Sequence, residues 1–94
     1  MSIRNSEEYY KAKKNVLRRA DCHCEITGKF GNVQVHHIKP VKKYPQLACD
    51  ENNMIVMDRN LHMKFHLRYG NNYSIDDWNG FIEEVKANNG RFIA

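Results

Sequence analysis

Four of the five histidines in this chain fall in two pairs, and their arrangement constrains the fold more than any other feature. His36 and His37 are adjacent near the end of an alternating segment, 33–38, that predicts a β-strand. His62 and His66 are four residues apart in a segment with helical periodicity. On a helix this spacing places both imidazoles on one side, about 6 Å apart. The second pair therefore has the spacing of two ligands of one cation.

Adjacent side chains of a strand point to opposite faces, which limits what the first pair can do. We therefore expect one of its two imidazoles to reach a metal only where the strand end is bent, with its neighbour aimed elsewhere. Either pair alone is often incidental in a sequence. The combined order of strand, His-His, long loop, Asn, strand and helical His-x-x-x-His is much more specific.

The beginning of the chain predicts a basic amphipathic helix. Asn5 or Ser6 can cap it, and Glu8 can complete a capping box with Asn5. Residues 1–20 contain six Lys/Arg and two Asp/Glu, a basic excess that suits a polyanion partner. The inner face is expected to comprise Tyr9, Tyr10, Ala12, Val16, Leu17 and Ala20, and the solvated face Lys11, Lys13, Lys14, Arg18 and Arg19.

Turn residues and helix caps divide the rest of the chain into a small α+β domain. No internal repeat or linker interrupts it, so residues 1–94 are expected to form a single domain with a helix at 1–20, a core at 33–70 and a last helix at 74–90. The predicted elements are a turn at 28–32, a strand at 33–38 with Val33 and Val35 on one face, an irregular loop bracketed by Pro40 and Pro45, a strand at 54–57, a helix capped by Asp58 or Asn60 that carries Leu61, Phe65 and Leu67 and ends at Gly70, and a helix opened by a Ser74–Asp77 capping box.

Composition excludes several classes of protein. The longest apolar run, residues 54–57, is far too short for a transmembrane helix, so no membrane association is expected. The N-terminus lacks the apolar core of a signal peptide, which favours a cytoplasmic location. Three cysteines in such a chain, Cys22, Cys24 and Cys49, argue against a disulfide framework.

Three segments, VHHIKP at 35–40, DENNMIVM at 50–57 and NLHMKFH at 60–66, resemble the HNH endonucleases, whose fold is the ββα-metal finger. The resemblance covers roughly residues 20–70, about half of the chain. It implies a two-stranded antiparallel hairpin plus helix, here flanked by N- and C-terminal helices. It also implies metal-dependent hydrolysis of DNA phosphodiester bonds, by nicking or double-strand cleavage, with 5′-phosphate and 3′-hydroxyl products.

The resemblance further implies a metal site and a separate base. His36 and His62 would be metal ligands, and His66 a third ligand or a phosphate contact. His37 would be the general base, since an imidazole with a pKa near 6.5 can accept a proton at neutral pH. Asn53 would hold the loop and so orient His37. The expected cofactor is one divalent ion, Mg²⁺ or Mn²⁺ for catalysis, with Zn²⁺ or Ni²⁺ as alternatives.

The chain departs from the family pattern in its cysteines. Many members carry two Cys-x-x-Cys pairs around a structural zinc. Because only one of the four positions is a thiol here, we predict no structural zinc and expect packing of the terminal helices to stabilise the finger instead. An improvised site made of Cys22, His23, Cys24 and Asp58 would need a cramped Cys-x-Cys spacing. The four positions are occupied by Cys24, Thr27, Asp58 and Leu61.

Basic side chains flank the predicted site and are expected to contact DNA phosphates. They are Lys39, Lys42 and Lys43 in the loop, and Arg59, Lys64 and Arg68 on the helix. With few residues left for base readout, recognition of double-stranded DNA should be loose, or depend on DNA structure or a homodimer. The compact domain resembles free-standing nucleases of bacteriophages and mobile elements. The alternatives are a finger that binds nucleic acid without cutting it, and a phage accessory or inhibitor protein.

Overall fold

The computed structural model describes residues 6–93, which form an α+β fold. The helices are α1 (Glu7–Arg19), α2 (Arg59–Tyr69) and α3 (Ile75–Ala87), and the strands are β1 (Val33–His37) and β2 (Met54–Asp58). Short 3-10 helices at Pro45–Leu47 and Glu51–Asn53 lie in the loop that joins the strands. The predicted fold class is confirmed. In the described range, no helix combines the length and apolar character needed to cross a membrane.

The two strands pair antiparallel, with Val35 opposite Val56. Side chains of β1 alternate between the two helices that flank the sheet. Val33 and Val35 pack against the cluster that contains Ala12 of α1, as predicted. Gln34 points the other way and reaches α2. This alternation decides which side chains of β1 meet at the site.

Helix α1 is capped by Ser6, one of the two predicted N-cap residues. Ser6 accepts a hydrogen bond from the Tyr9 N–H at 3.1 Å, which makes it the N-cap, while Asn5 lies outside the described residues. Ala12 and Val16 are buried against β2, as expected. Tyr10 is 51% exposed, so its assignment to the inner face was wrong: the face that contacts the sheet is narrower than the sequence suggested.

The two later helices follow their predicted caps. Asp58 accepts from the N–H groups of Asn60 and Leu61, and α2 ends at Gly70, whose φ of 71° suits glycine. Ser74 and Asp77 form the predicted capping box of α3. Leu67 is 69% exposed and lies outside the core. The main core lies between α2, α3 and the sheet and includes Met57, Leu61, Phe65, Tyr73, Trp78, Phe81, Val85 and Phe92.

Arg19 and Glu25 tie the segment before β1 to β2. Arg19 is exposed, as expected, and it also donates to Glu25 at 2.7 Å and to the Met54 carbonyl at 3.0 Å. The same Glu25 oxygen accepts the Val56 N–H at 2.9 Å, and the Glu25 N–H donates to the Val56 carbonyl at 2.8 Å. The Glu25 carboxylate and the Arg19 guanidinium therefore link the segment before β1 to β2.

The cysteines of the Cys-x-Cys segment lie in different surroundings. Cys24 is buried in the main core, whereas Cys22 is exposed, and both are free thiols. Asp21 and Cys22 have positive φ values of 50° and 55°, so the chain turns sharply between them and β1. The Cys24 thiol therefore lies in the core, whereas the Cys22 thiol lies at the surface.

We predict that Glu25→Ala lowers the free energy of unfolding by about 1–3 kcal/mol, because it leaves the Val56 N–H unsatisfied and Arg19 without its carboxylate. Urea denaturation measures this change. Glu83→Ala, which removes an exposed carboxylate of α3, is the matched control and should shift stability by less than about 0.5 kcal/mol. Equal effects of the two substitutions would contradict the role of Glu25.

Candidate metal centre

Strand β1 and helix α2 bring three imidazoles to one point. Each of His36, His62 and His66 offers a ring nitrogen, and these three nitrogens lie within 4.8 Å of one another. The ring centroid of His36 lies 5.0 Å from that of His62 and 5.4 Å from that of His66. These are the three ligands that the resemblance implied. The expected bend in the strand is not needed, because both His36 and His37 lie within the regular ladder and alternation alone aims His36 at α2.

The outer nitrogens of the two helical histidines fix where their protons lie. His62 Nδ1 donates to Gln34 Oε1 at 2.8 Å, and His66 Nδ1 donates to the Gly70 carbonyl at 2.9 Å. In a neutral imidazole the other nitrogen then carries a lone pair. The two Nε2 atoms are 3.0 Å apart, so two lone pairs face each other. This arrangement favours a cation between them.

His36 supplies a further nitrogen that needs a partner. Its side chain is 2% exposed, and Nε2 is the buried side-chain atom that has no hydrogen-bond partner among residues 6–93. Leaving a buried polar atom unsatisfied costs about 1–3 kcal/mol. The ring stacks on Tyr73 and Trp78, with centroids 5.3 and 4.9 Å away, so it cannot turn towards water. The residues therefore fit a bound metal ion.

Burial keeps two of these histidines neutral. Desolvation, together with the neighbouring His62, His66 and His37, lowers the pKa of His36 to about 2. Desolvation and His66 lower the pKa of His62 to about 4. At neutral pH a metal ion therefore meets His36 and His62 as deprotonated imidazoles, the form that ligates metals.

The donor set narrows the choice of metal. Three imidazole nitrogens favour Zn²⁺ or Ni²⁺, whereas Mg²⁺ and Mn²⁺ prefer oxygen ligands. The cluster of described residues contains no carboxylate. Tight binding should therefore go to a nitrogen-preferring ion, while the metal that supports activity stays a prediction.

His37 faces away from the metal ligands but shares their cleft. Its Nε2 donates to the Ala48 carbonyl at 2.9 Å, and its ring stacks on Tyr9 with centroids 6.0 Å apart. A cleft of about 350 Å³ is lined by both His36 and His37, together with His62 and His66. The Ala48 contact places the proton on Nε2, which makes Nδ1 the basic nitrogen of this ring.

Asn53 holds the loop that carries the Ala48 carbonyl. Its Oδ1 accepts the Lys39 N–H at 2.8 Å, and its Nδ2 donates to the Lys39 carbonyl at 3.0 Å and towards the Leu47 carbonyl at 3.5 Å. It therefore fastens the loop at two points, two residues after His37 and directly before Ala48. The side chain is buried, so these bonds are shielded from water. Its place at the base of the loop agrees with the orienting role that the resemblance implied.

The predicted DNA contacts in the loop differ in position. Lys42 lines the cleft beside the histidines. The Lys39 ammonium lies over the Tyr44 ring, 5.5 Å from its centroid, and Lys43 is exposed. Of these three lysines, Lys42 is therefore the one that lines the cleft of the histidine cluster.

The predicted contacts on α2 also separate. Arg59 is exposed at the start of the helix, three residues before His62 and so on the same side. Lys64 lies two residues from each helical histidine, which turns it to the opposite side of α2. Arg68 pairs with Glu84 at 3.1 Å, and its guanidinium lies 4.2 Å from the Phe92 centroid. The structure thus gives Arg68 a bracing role at the chain end, away from the cleft.

Sequence reasoning missed three groups at the site: Gln34, Gly70 and Tyr73. Gln34 had a signal, because it lies two residues before His36 and must face the same side of β1. The Gly70 carbonyl reaches His66 only because the helix ends there. Tyr73 donates its hydroxyl to the His37 carbonyl from a segment 36 residues away, and nothing local in the sequence marks this contact.

No family model, curated protein or solved structure matches this chain.

We predict that the protein binds one equivalent of Zn²⁺ or Ni²⁺ and that His62→Ala weakens this binding by about 100-fold, since even indirect partners of metal ligands are worth 10- to 100-fold. Isothermal titration calorimetry measures the affinity. His23→Ala is the control, because His23 lies outside the cluster and contacts the Asp21 carbonyl. Unchanged affinity in His62→Ala would remove that residue from the ligand set.

We predict that the metal-free protein loses stability as the pH falls below 6.5. The folded-state pKa values of His36 and His62 lie below the unfolded value of 6.5, so the unfolded state takes up protons first. Each group can contribute up to about 1.4 kcal/mol per pH unit, less for the half-buried His62. The contribution of His62 levels off near pH 4, and that of His36 near pH 2.

Urea denaturation in the presence of a chelator at pH 7, 6 and 5 measures this slope, and a fall of roughly 2–3 kcal/mol from pH 7 to 5 is expected. His62→Gln should flatten the slope, while His23→Gln should leave it unchanged. Constant stability over this range would mean that the cluster titrates normally.

Proposed function

We propose that this chain is a metal-dependent HNH endonuclease that hydrolyses phosphodiester bonds of DNA. One observation carries the proposal: three imidazoles converge at one point while a fourth, His37, lines the same cleft and is anchored by a separate hydrogen bond to the Ala48 carbonyl. A purely structural metal site has no use for a separate base held beside it. Hydrolysis by a metal and a base needs both.

The roles follow from this arrangement. His36, His62 and His66 would hold one divalent ion, which would bind the scissile phosphate and offset the charge that develops on it. His37 takes a proton from the attacking water at Nδ1, and the Ala48 carbonyl stabilises the charged ring through Nε2. The expected products are a 5′-phosphate and a 3′-hydroxyl.

The lining of the cleft supports a phosphate substrate. Apart from the histidines, its polar members are Lys42, Asn71 and the two tyrosines Tyr9 and Tyr73. No carboxylate lines it among the described residues, so an anionic backbone meets no like charge. We propose double-stranded DNA as the substrate, with low intrinsic sequence specificity, either strand-nicking or double-strand cleavage, and a cytoplasmic setting. A homodimer is one route to cutting both strands.

We predict that the protein nicks supercoiled plasmid with Mg²⁺, Mn²⁺ or Ni²⁺ and that His37→Ala lowers the rate by about 10²- to 10⁴-fold, the usual contribution of a general base. Agarose gels of relaxed and linear plasmid measure the rate. The loss should come without loss of metal affinity, because His37 is not in the ligand cluster.

His37→Gln is a second variant that can keep a donor near the Ala48 carbonyl, and His23→Ala is the activity control. If the wild type binds DNA but cuts it with none of the metals, the chain is a binding finger or an accessory protein instead. If His37→Ala cuts normally, the base is another group.

A further inference from the structure

We propose that the depression between α1 and β1 is the subsite for the nucleotide next to the scissile phosphate, with Lys13 as its phosphate contact. This inference rests on the proposed function, because it assumes that the metal centre holds a phosphodiester. The depression measures about 450 Å³ and is lined by Lys13, Leu17, Val33, Gln34, Val35 and His62.

The depression continues the cleft of the metal centre. Val35 and His62 line both, so they form the boundary that the two hollows share. If one phosphate of a DNA strand is bound at His62, the next nucleotide must lie on a surface that adjoins His62. This depression is such a surface, and its large volume fits the size of a ligand group rather than a single water.

The walls have the chemistry of a sugar-phosphate site. Leu17, Val33 and Val35 offer an apolar surface to the face of a deoxyribose, while Lys13 offers an ammonium and Gln34 an amide. No carboxylate lines the depression in the described part of the chain. An acidic peptide would meet the same ammonium, but the shared boundary at His62 favours a strand that already has one phosphate at the metal centre.

Lys13 is less exposed than the neighbouring lysines because it lies on the side of α1 that faces the depression. Tyr9, Lys13 and Leu17 are spaced four residues apart and so lie on one side of the helix. Tyr9 lines the metal cleft and Leu17 lines the depression, with Lys13 between them. Lys13 is half-buried, whereas Lys11 and Lys14 are exposed. From Tyr9 to Leu17 the helix rises about 12 Å, enough to follow more than one nucleotide step.

The first test is DNA binding measured by fluorescence anisotropy with a labelled 12-base-pair duplex, in a chelator and over a series of NaCl concentrations. Lys13→Gln should weaken binding several-fold and lower the slope of log affinity against log salt by about 0.9, the value for one lost phosphate contact. Lys14→Gln makes the same charge change on an exposed neighbour and should have a much smaller effect. Equal effects of the two substitutions, or none, would overturn the subsite.

The second test separates the subsite from the metal centre. Bis(4-nitrophenyl) phosphate is a small diester that carries no neighbouring nucleotide to occupy the depression. With metal bound, Lys13→Gln should leave its hydrolysis unchanged and slow plasmid nicking several-fold. Slower hydrolysis of the small diester would place Lys13 at the reacting phosphate instead. If the wild type hydrolyses neither substrate, the nuclease proposal fails, while the anisotropy experiment still decides whether Lys13 binds DNA.

Discussion

The alternation of side chains along β1 is the constraint on which the site depends. Two adjacent histidines could not serve as ligand and base if both pointed the same way. Because β1 is a regular strand between two helices, His36 is delivered to α2 and the core, whereas His37 is delivered to α1 and the loop. Gln34 follows His36 by the same rule and reaches His62. The alternation along β1 thus turns the candidate metal ligand His36 and the proposed base His37 to opposite faces of the sheet.

Much of this arrangement could be predicted from the sequence, because its signals are local. The caps Ser6, Asp58 and Ser74 have defined chemistry, and the helical spacing of His62 and His66 fixes their common side. The wrong assignment of Tyr10 and the unpredicted contacts of Arg19 have a common cause, since both residues were assigned from helical periodicity alone. How wide a buried face is, and which carbonyls lie near a guanidinium, depend on segments distant in the chain. The contacts of Arg19 with Glu51 and Met54 span 32 and 35 residues.

The ββα core is held to the flanking segments by packing and ion pairs. Arg19 and Glu25 connect α1, the turn segment and β2 through hydrogen bonds to both side chain and backbone. Cys24 packs in the core as an apolar side chain. On the far side, Phe92 and the contacts of Arg68 with Glu84 join the segment after α3 to α2 and α3.

The metal centre and the core share residues, which couples binding to stability. His36 stacks on Trp78 and Tyr73 and contacts Phe65, so it is as much a core residue as a ligand. Its unsatisfied Nε2 and the facing nitrogens of His62 and His66 oppose folding of the metal-free chain. A cation that satisfies them returns that free energy on binding, and only the folded state can do so. Preorganising the ligands therefore lowers the stability of the empty protein, as expected where a functional site departs from the rules of a well-packed core.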